Sequence, residues 1–242
     1  MKLFLTFAIV LMLVTLCFAE GGIFGEKADV PLPCGGKTPF QWWLDRHAAF
    51  ITEAKKGEAQ ICFFGDSLTD FWAKEGNAVW EKEYVPQKAA NFGIGGDQTQ
   101  YVLYRMTNGE LEGMKAKVIV IQIGTNNIVK SYTPEETAVG IKAIVDLVRA
   151  KLPESKVLVM ALLPQGATTK DPSRVKLDQV SELISKLDDG KMVKYLNINS
   201  KFVDAEGNLL KEMKTEDRAH LSEKGYQAWA DGMRETLAEL MK

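Results

Sequence analysis

The chain has 242 residues, 46% of them hydrophobic and 26% charged, and 30 basic against 32 acidic side chains leave a formal charge of −2. That composition excludes a disordered chain, a fibrous repeat and a polytopic membrane protein, and a near-neutral charge offers no basic stripe for nucleic acid. Three cysteines without a Cys-x-x-Cys pair, and only two histidines, His47 and His220, argue against zinc and restrict any catalytic histidine to two positions.

The chain opens Met1-Lys2 and then runs apolar from Leu3 to Ala19. One positive charge, an apolar stretch and a small residue before Glu20 read as a secretory signal peptide cleaved after Ala19. An uncleaved anchor is an alternative, but no basic stop-transfer cluster follows. A lipid anchor through Cys17 is another, against which bulky Leu16 stands. The expected layout is a signal peptide at 1–19, a Gly/Pro-rich lead-in at 20–37 and one folded domain at 38–242. The expected location is secreted or periplasmic, with no stable membrane span after cleavage. Cys34 and Cys62 then remain. Export permits a disulfide between them, while the run Ile61-Cys62-Phe63-Phe64 favours Cys62 as a buried small hydrophobe.

Beyond the lead-in, short apolar runs alternate with helical patterns. Thr38-Pro39 offers an N-cap followed by proline at the first helical position. Phe40, Trp43, His47, Phe50 and Ala54 then recur on one helical face. Strands are expected at Gln60–Phe64, Lys88–Phe92, Val118–Ile123, Val157–Leu162 and Lys194–Ile198, mostly continuous apolar runs as in strands buried on both faces. Thr133-Pro134-Glu135-Glu136 forms a capping box opening a helix through Leu152. Another helix is expected over Ser173–Leu187. A last one begins near Ser222, with Tyr226, Trp229, Met233, Leu237 and Leu240 as its apolar stripe. This alternation predicts a single α/β domain with a parallel sheet and helices on both faces, whose site lies at the carboxyl ends of the strands.

Four segments stand at those ends. The first strand runs into Gly65-Asp66-Ser67-Leu68, where a serine on a strand-to-helix turn projects its hydroxyl from the sheet edge and its N–H lies near a helix N-terminus. Read alone, it is more safely a Ser or Asp helix cap after a tight glycine turn. The second strand runs into Gly93-Ile94-Gly95-Gly96-Asp97, which lets backbone approach a ligand, or is a plain turn. It does not match the dinucleotide pattern G-x-G-x-x-G. The third runs into Gly124-Thr125-Asn126-Asn127, an amide donor for an oxyanion or ordinary turn chemistry. Asp217-Arg218-Ala219-His220 precedes the last helix, and its spacing lets a carboxylate orient an imidazole toward a serine, or form a salt-bridged loop. Each signal is weak alone, and their joint order is what carries information.

In these four blocks the sequence resembles the GDSL, or SGNH, hydrolase superfamily, over about residues 38–240. Within it, Asn91–Asp97, Asn108-Gly109-Glu110-Leu111, Lys117-Val118-Ile119-Val120, Gly124–Asn127 and Leu162–Gly166 look most like the catalytic subunits of the intracellular platelet-activating-factor acetylhydrolases. The resemblance implies a flavodoxin-like three-layer α/β/α sandwich with a five-stranded parallel sheet. It also implies serine esterase chemistry. Ser67 matches the nucleophile, His220 the general base and Asp217 its orienting acid. The Ser67 and Gly96 backbone N–H groups and the Asn126 side chain match the oxyanion hole, Gly96 being the glycine that immediately precedes Asp97. The signal peptide departs from those cytosolic relatives, so their lipid-mediator role and partner subunits are not carried over.

The implied activity is two-step acyl transfer on a neutral ester, without cofactor or metal. Asp66, Leu68 and Ala219 are expected to wall a small acyl pocket. The expected substrate is a short-chain, acetyl ester, with carbohydrate O-acetyl groups as a candidate source. A short-chain lipid or lysophospholipid esterase is the alternative, and a non-catalytic carbohydrate-binding protein on a hydrolase fold is the alternative of another class. His47, on an aromatic helical face, reads as core and lacks a locally spaced carboxylate, Asp45 facing elsewhere. Lys55-Lys56-Gly57-Glu58 reads as a solvated helix end. Trp42, adjacent to Trp43, falls on another face, and an exposed ring there could stack on a sugar.

Overall fold

Side-chain alternation along five short strands builds the core of this protein, for which a computed structural model describes residues 26–217 and 219–242; the expected signal peptide lies outside the described residues. The strands are β1 (Ile61–Gly65), β2 (Ala89–Gly93), β3 (Val118–Gln122), β4 (Lys156–Met160) and β5 (Val193–Leu196). They form one wholly parallel sheet in the order β2-β1-β3-β4-β5. Each expected strand is present, with ends displaced by a residue or two. β1 and β3 are buried throughout, whereas the edge strands β2 and β5 are partly open, as fits their places in the sheet.

The helices are α1 (Gln41–Lys56), α2 (Ser67–Asp70), α3 (Asn77–Glu83), α4 (Thr99–Arg105), α5 (Thr125–Val129), α6 (Pro134–Lys151), α7 (Pro172–Ser185) and α8 (Glu223–Leu240). Because strand side chains alternate, Cys62, Phe64, Ile119, Ile121, Val157 and Val159 face one side and meet α4, α6 and α7. Ile61, Phe63, Val118, Val120, Leu158 and Met160 face the other and meet α3 and α8, with Trp72, Trp80, Tyr226 and Trp229 filling the space between. The result is the expected three-layer α/β/α sandwich. No described helix is long and apolar enough to cross a membrane.

Several local expectations hold in detail. Thr133 and Glu136 form a reciprocal capping box on α6, and Ser222 caps α8 by accepting from the Gly225 N–H. α1 ends at Lys56 with Gly57 in the left-handed region, which completes the solvated end expected there. One expectation fails. The cap of α1 is Phe40, without a side-chain bond, and Pro39 lies outside the helix. Residues 33–40 are still turning at that point: Gly36 N–H donates to Pro33, Thr38 to Gly35 and Phe40 to Cys34. A second turn therefore occupies the place the Thr-Pro signal suggested for the helix start. Cys34 and Cys62 are free. Trp42 is 52% exposed and stacks on Phe40.

Candidate active site

Register brings the β1, β2 and β3 ends to one edge, since Gly65 pairs with both Gly93 and Gln122. The chain leaves β1 at Asp66, whose carboxylate accepts from the Leu68 N–H and starts α2 at Ser67. Tyr226 on α8 donates to the Leu68 carbonyl at 2.8 Å and fixes the turn from below. Ser67 therefore sits at the first helical position, half-buried, with its hydroxyl above the sheet edge.

The segment 214–221 closes over Ser67. Lys214 pairs with Leu221 across an antiparallel bridge, and Thr215 N–H donates to the His220 carbonyl. Inside that loop one oxygen of Asp217 accepts from the Thr215 hydroxyl at 2.6 Å, the Ala219 N–H at 2.9 Å and the His220 N–H at 3.0 Å. The other oxygen faces His220 Nδ1 at 2.5 Å. The His220 backbone N–H, then the Thr215 hydroxyl and the His220 ring hold the Asp217 carboxyl far below the usual carboxylate range. A carboxylate accepts, so the ring proton lies on Nδ1. Nε2 is then the acceptor, 3.1 Å from Ser67 Oγ. The loop thus brings together the three residues that the blocks at 65–68 and 217–220 singled out.

The glycine loop shows which N–H is available beside them. The Gly95 N–H is claimed by Asp70 Oδ2 at 3.3 Å, and Arg46 holds the other Asp70 oxygen at 2.8 Å. No acceptor among the described residues claims the Gly96 N–H. Gly96 has φ +86, a conformation side chains rarely adopt, and a Cβ there would meet open space. Asn126 Nδ2 donates to the Asp97 carbonyl at 2.9 Å, which uses one of its two protons and leaves the other to donate elsewhere.

A cavity of about 440 Å³ opens at this point, lined by Asp66, Ser67, Leu68, Asn126, Ala219 and His220 among others. Ile128, Val129 and Leu177 supply much of its apolar wall. All three residues expected to wall a pocket are therefore in its lining. Their characters differ: Leu68 and Asp66 are buried and Ala219 is exposed.

Asp66 is the unusual member. Its Oδ2 is buried without a hydrogen-bond partner, and burial pushes its carboxyl up to about 7, against the Leu68 N–H. Lys214 lies on the other side of the loop, donates to the Ala219 carbonyl at 3.2 Å and is drawn down to about 8, chiefly by burial. A raised carboxyl in the folded state stabilises the fold fully below its ordinary value of 3.8, and that stabilisation is lost as pH rises through about 7. Asp66→Asn keeps the acceptor for Leu68 and cannot ionise. The melting temperature of this variant relative to wild type is expected to be about 5 °C higher at pH 8 than at pH 5. Equal differences at the two pH values would show that Asp66 does not titrate there.

The sequence reading missed three neighbours. Phe71 packs against the His220 ring at a tilt of 32° with centroids 4.6 Å apart, and Lys74 Nζ lies 3.8 Å from the Phe71 ring centre. Gln165 donates to the Ala219 carbonyl at 3.1 Å. Phe71 was within reach of local reasoning, since it follows Ser67 by four residues, one helical turn on. His47 is buried as expected, and the fold supplies from afar the carboxylate that local spacing did not: its Nδ1 lies 2.8 Å from Glu110 Oε1. Their separation of 63 residues put Glu110 outside any local search.

The profile of the GDSL-like lipase/acylhydrolase family matches residues 63–228. Platelet-activating factor acetylhydrolase IB subunit alpha1 of Rattus norvegicus is 37% identical over 200 residues, 82% of this chain and 84% of that protein. The alpha2 subunit of the same species is 36% identical over 201 residues, 83% of this chain and 85% of that protein. Among solved structures, a GDSL-like lipase from Bacteroides thetaiotaomicron superposes with a TM-score of 0.67 at 19% identity, covering 81% of this chain and 97% of that one. A catalytic mutant of an acetylxylan esterase from Geobacillus stearothermophilus superposes with a TM-score of 0.59 at 18% identity, covering 77% and 96%.

Proposed function

Because the chain belongs to the GDSL-like lipase/acylhydrolase family and is a carboxylic ester hydrolase, we propose that it removes short acyl groups, chiefly acetyl, through a Ser67–His220–Asp217 triad. The observation that carries this reading is the unbroken line from Asp217 Oδ2 through both His220 nitrogens to Ser67 Oγ, at 2.5 and 3.1 Å, beside the cavity. His220 Nε2 takes the Ser67 proton as Oγ attacks the ester carbonyl, and Asp217 holds the imidazole in the tautomer this needs. The tetrahedral oxyanion is met by the Ser67 and Gly96 N–H groups and the free amide proton of Asn126. Each donor of this kind lowers the barrier by about 3–4 kcal/mol. His220 then protonates the leaving alcohol, and water, activated by the same nitrogen, releases the acid from the acyl-enzyme.

Acetyl preference is supported by the acetylhydrolase relatives and by the modest cavity. Comparing kcat/KM for p-nitrophenyl acetate, butyrate and octanoate tests it. The acetyl or butyryl ester is expected to lead, and a preference for octanoyl would overturn the short-chain reading.

For the alcohol half, O-acetylated carbohydrate is the favoured class. A groove of about 1070 Å³ meets the cavity at Gly166 and is lined by Thr168, Asp204, Asn208, Lys211 and Thr215. The hydroxyl, amide and charged groups of that lining can hydrogen-bond a polyhydroxylated moiety, with Ala167 and Leu209 adding apolar surface. The name of the 37%-identical relatives favours a second reading, an acetylated lipid. Release of acetate from acetylated xylo-oligosaccharides against release from an acetyl phospholipid separates the two. The apolar opening at Leu3–Ala19 supports export, and mass spectrometry of the secreted protein is expected to find its N-terminus at Glu20.

A further inference from the structure

Behind the glycine loop lies a chain of buried polar groups that no catalytic step uses. Asp97, the residue after Gly96, is wholly buried, and so are Arg105 and Glu110. Trp43 Nε1 donates to Asp97 Oδ1 at 2.7 Å, and Arg105 Nε donates to Oδ2 at 2.9 Å. The same guanidinium donates to Glu110 Oε2 at 2.5 Å and to the Phe92 carbonyl, at the end of β2, at 3.0 Å. His47 Nδ1 completes the chain on the remaining Glu110 oxygen. Side chains of α1 and α4 therefore meet on one loop residue, and Glu110, the Phe92 carbonyl and His47 extend the chain behind it.

We infer that Arg105 is a positioning residue for the oxyanion hole, acting through Asp97. This rests on the triad reading proposed above. Asp97 is covalently next to the Gly96 N–H, and its carbonyl receives the Asn126 amide. Two of the three oxyanion donors are thus referenced to one residue. The Asp97 side chain is gripped by Trp43 and Arg105, while Arg105 also ties it to the strand end from which the loop departs. The fork geometry of guanidinium serves this purpose: Nε donates to Asp97, one terminal nitrogen to the Phe92 carbonyl and the other to Glu110, so rotation of the loop would break several bonds together.

A stabilising role for the fold alone explains the cluster poorly. Taking two carboxylates and a guanidinium out of water costs several kcal/mol each before their attraction repays it, and well-packed apolar side chains of the same volume commonly stabilise as well or better. What apolar packing does not supply is a fixed direction for a backbone N–H. Preorganised donors are worth most where they need not reorient as charge develops.

Arg105→Lys keeps the charge and loses the fork. Glu110→Gln is nearly isosteric and loosens the far grip on the guanidinium, and it serves if the lysine variant does not fold. Each is measured with p-nitrophenyl acetate after titrating active sites with a stoichiometric phosphonate ester, so that kcat is counted per competent site. The expected result is a fall in kcat per titrated site of about tenfold or more with KM within about twofold, below the 10²- to 10³-fold loss of an oxyanion donor itself. In the double variant Arg105→Lys/Asn126→Ala, the loss is expected to fall clearly short of the product of the single losses, because both changes disable the same hole. Unchanged kcat per site in folded variants, or a loss confined to the number of titratable sites, would overturn the inference and leave the cluster purely structural. Strictly multiplicative losses would also overturn it. If Asn126→Ala and Ser67→Ala retain wild-type turnover, the triad reading fails first and is seen to fail independently of Arg105.

Discussion

Ser67→Ala is expected to lower kcat for p-nitrophenyl acetate by about 10⁴- to 10⁶-fold while leaving the fold intact. The size follows from what the substitution removes. It deletes the proposed attacking oxygen, 3.1 Å from His220 Nε2, and leaves every other part of the site in place. The backbone N–H of residue 67 stays at the head of α2, so one of the proposed oxyanion donors survives. The pairing of Asp217 with His220 survives too, and residual activity is left to water acting beside a preformed hole. The thermal midpoint should move little, because the Ser67 hydroxyl bonds the half-exposed imidazole and does not cap the helix, a task that falls to Asp66. Two measurements check the assignment together. Rate assays give the loss in turnover, and mass spectrometry after treatment with a phosphonate ester should find one adduct on wild type and none on the variant. Wild-type turnover in the variant, or an adduct still formed elsewhere, would remove Ser67 as nucleophile.

The parts of this molecule that were legible in the sequence are those whose signal is local. Five apolar runs appear as strands because a strand buried on both faces needs no partner to declare itself. The loops that carry Ser67, Gly96 and Asn126 were findable because a parallel sheet delivers its strand ends to one edge, while the choice of Gly96 within its loop rested on the family resemblance. Asp217 and His220 lie three residues apart on a single turn. What stayed hidden was set by tertiary packing. Helices α3 and α4 have seven residues each, under two helical turns, too short for a periodic pattern to stand out. Thr38-Pro39 carries a true turn signal, but the turn before it used the geometry that a helix start would have needed. His47 was placed correctly in the core, and yet its partner could not be named. Neither could the convergence of Trp43 and Arg105 on Asp97, since Trp43 lies 54 residues from its acceptor.

The two histidines should respond to alanine in opposite ways, and this separates chemistry from architecture. His220→Ala removes the group proposed to take the Ser67 proton and leaves Asp217 facing solvent that already wets it, its side chain being 52% exposed. Turnover is therefore expected to fall by about 10⁴- to 10⁶-fold with little change in thermal midpoint. The vacated space against the Phe71 ring can admit a free imidazole, so added imidazole should restore part of the rate. His47→Ala strips a donor from Glu110, whose side chain is wholly buried and cannot turn to water. Leaving one buried carboxylate oxygen without its donor costs about 1–3 kcal/mol, which for a chain of this size lowers the midpoint by about 2–10 °C. Its turnover per titrated site should fall less than tenfold, because Arg105 still grips Asp97 directly, and imidazole should restore nothing. Parallel melting curves and titrated rates, each with and without imidazole, read out all of these quantities. A large loss of turnover in His47→Ala beside a mild one in His220→Ala would reverse the two roles and displace the site from the loop at 214–221.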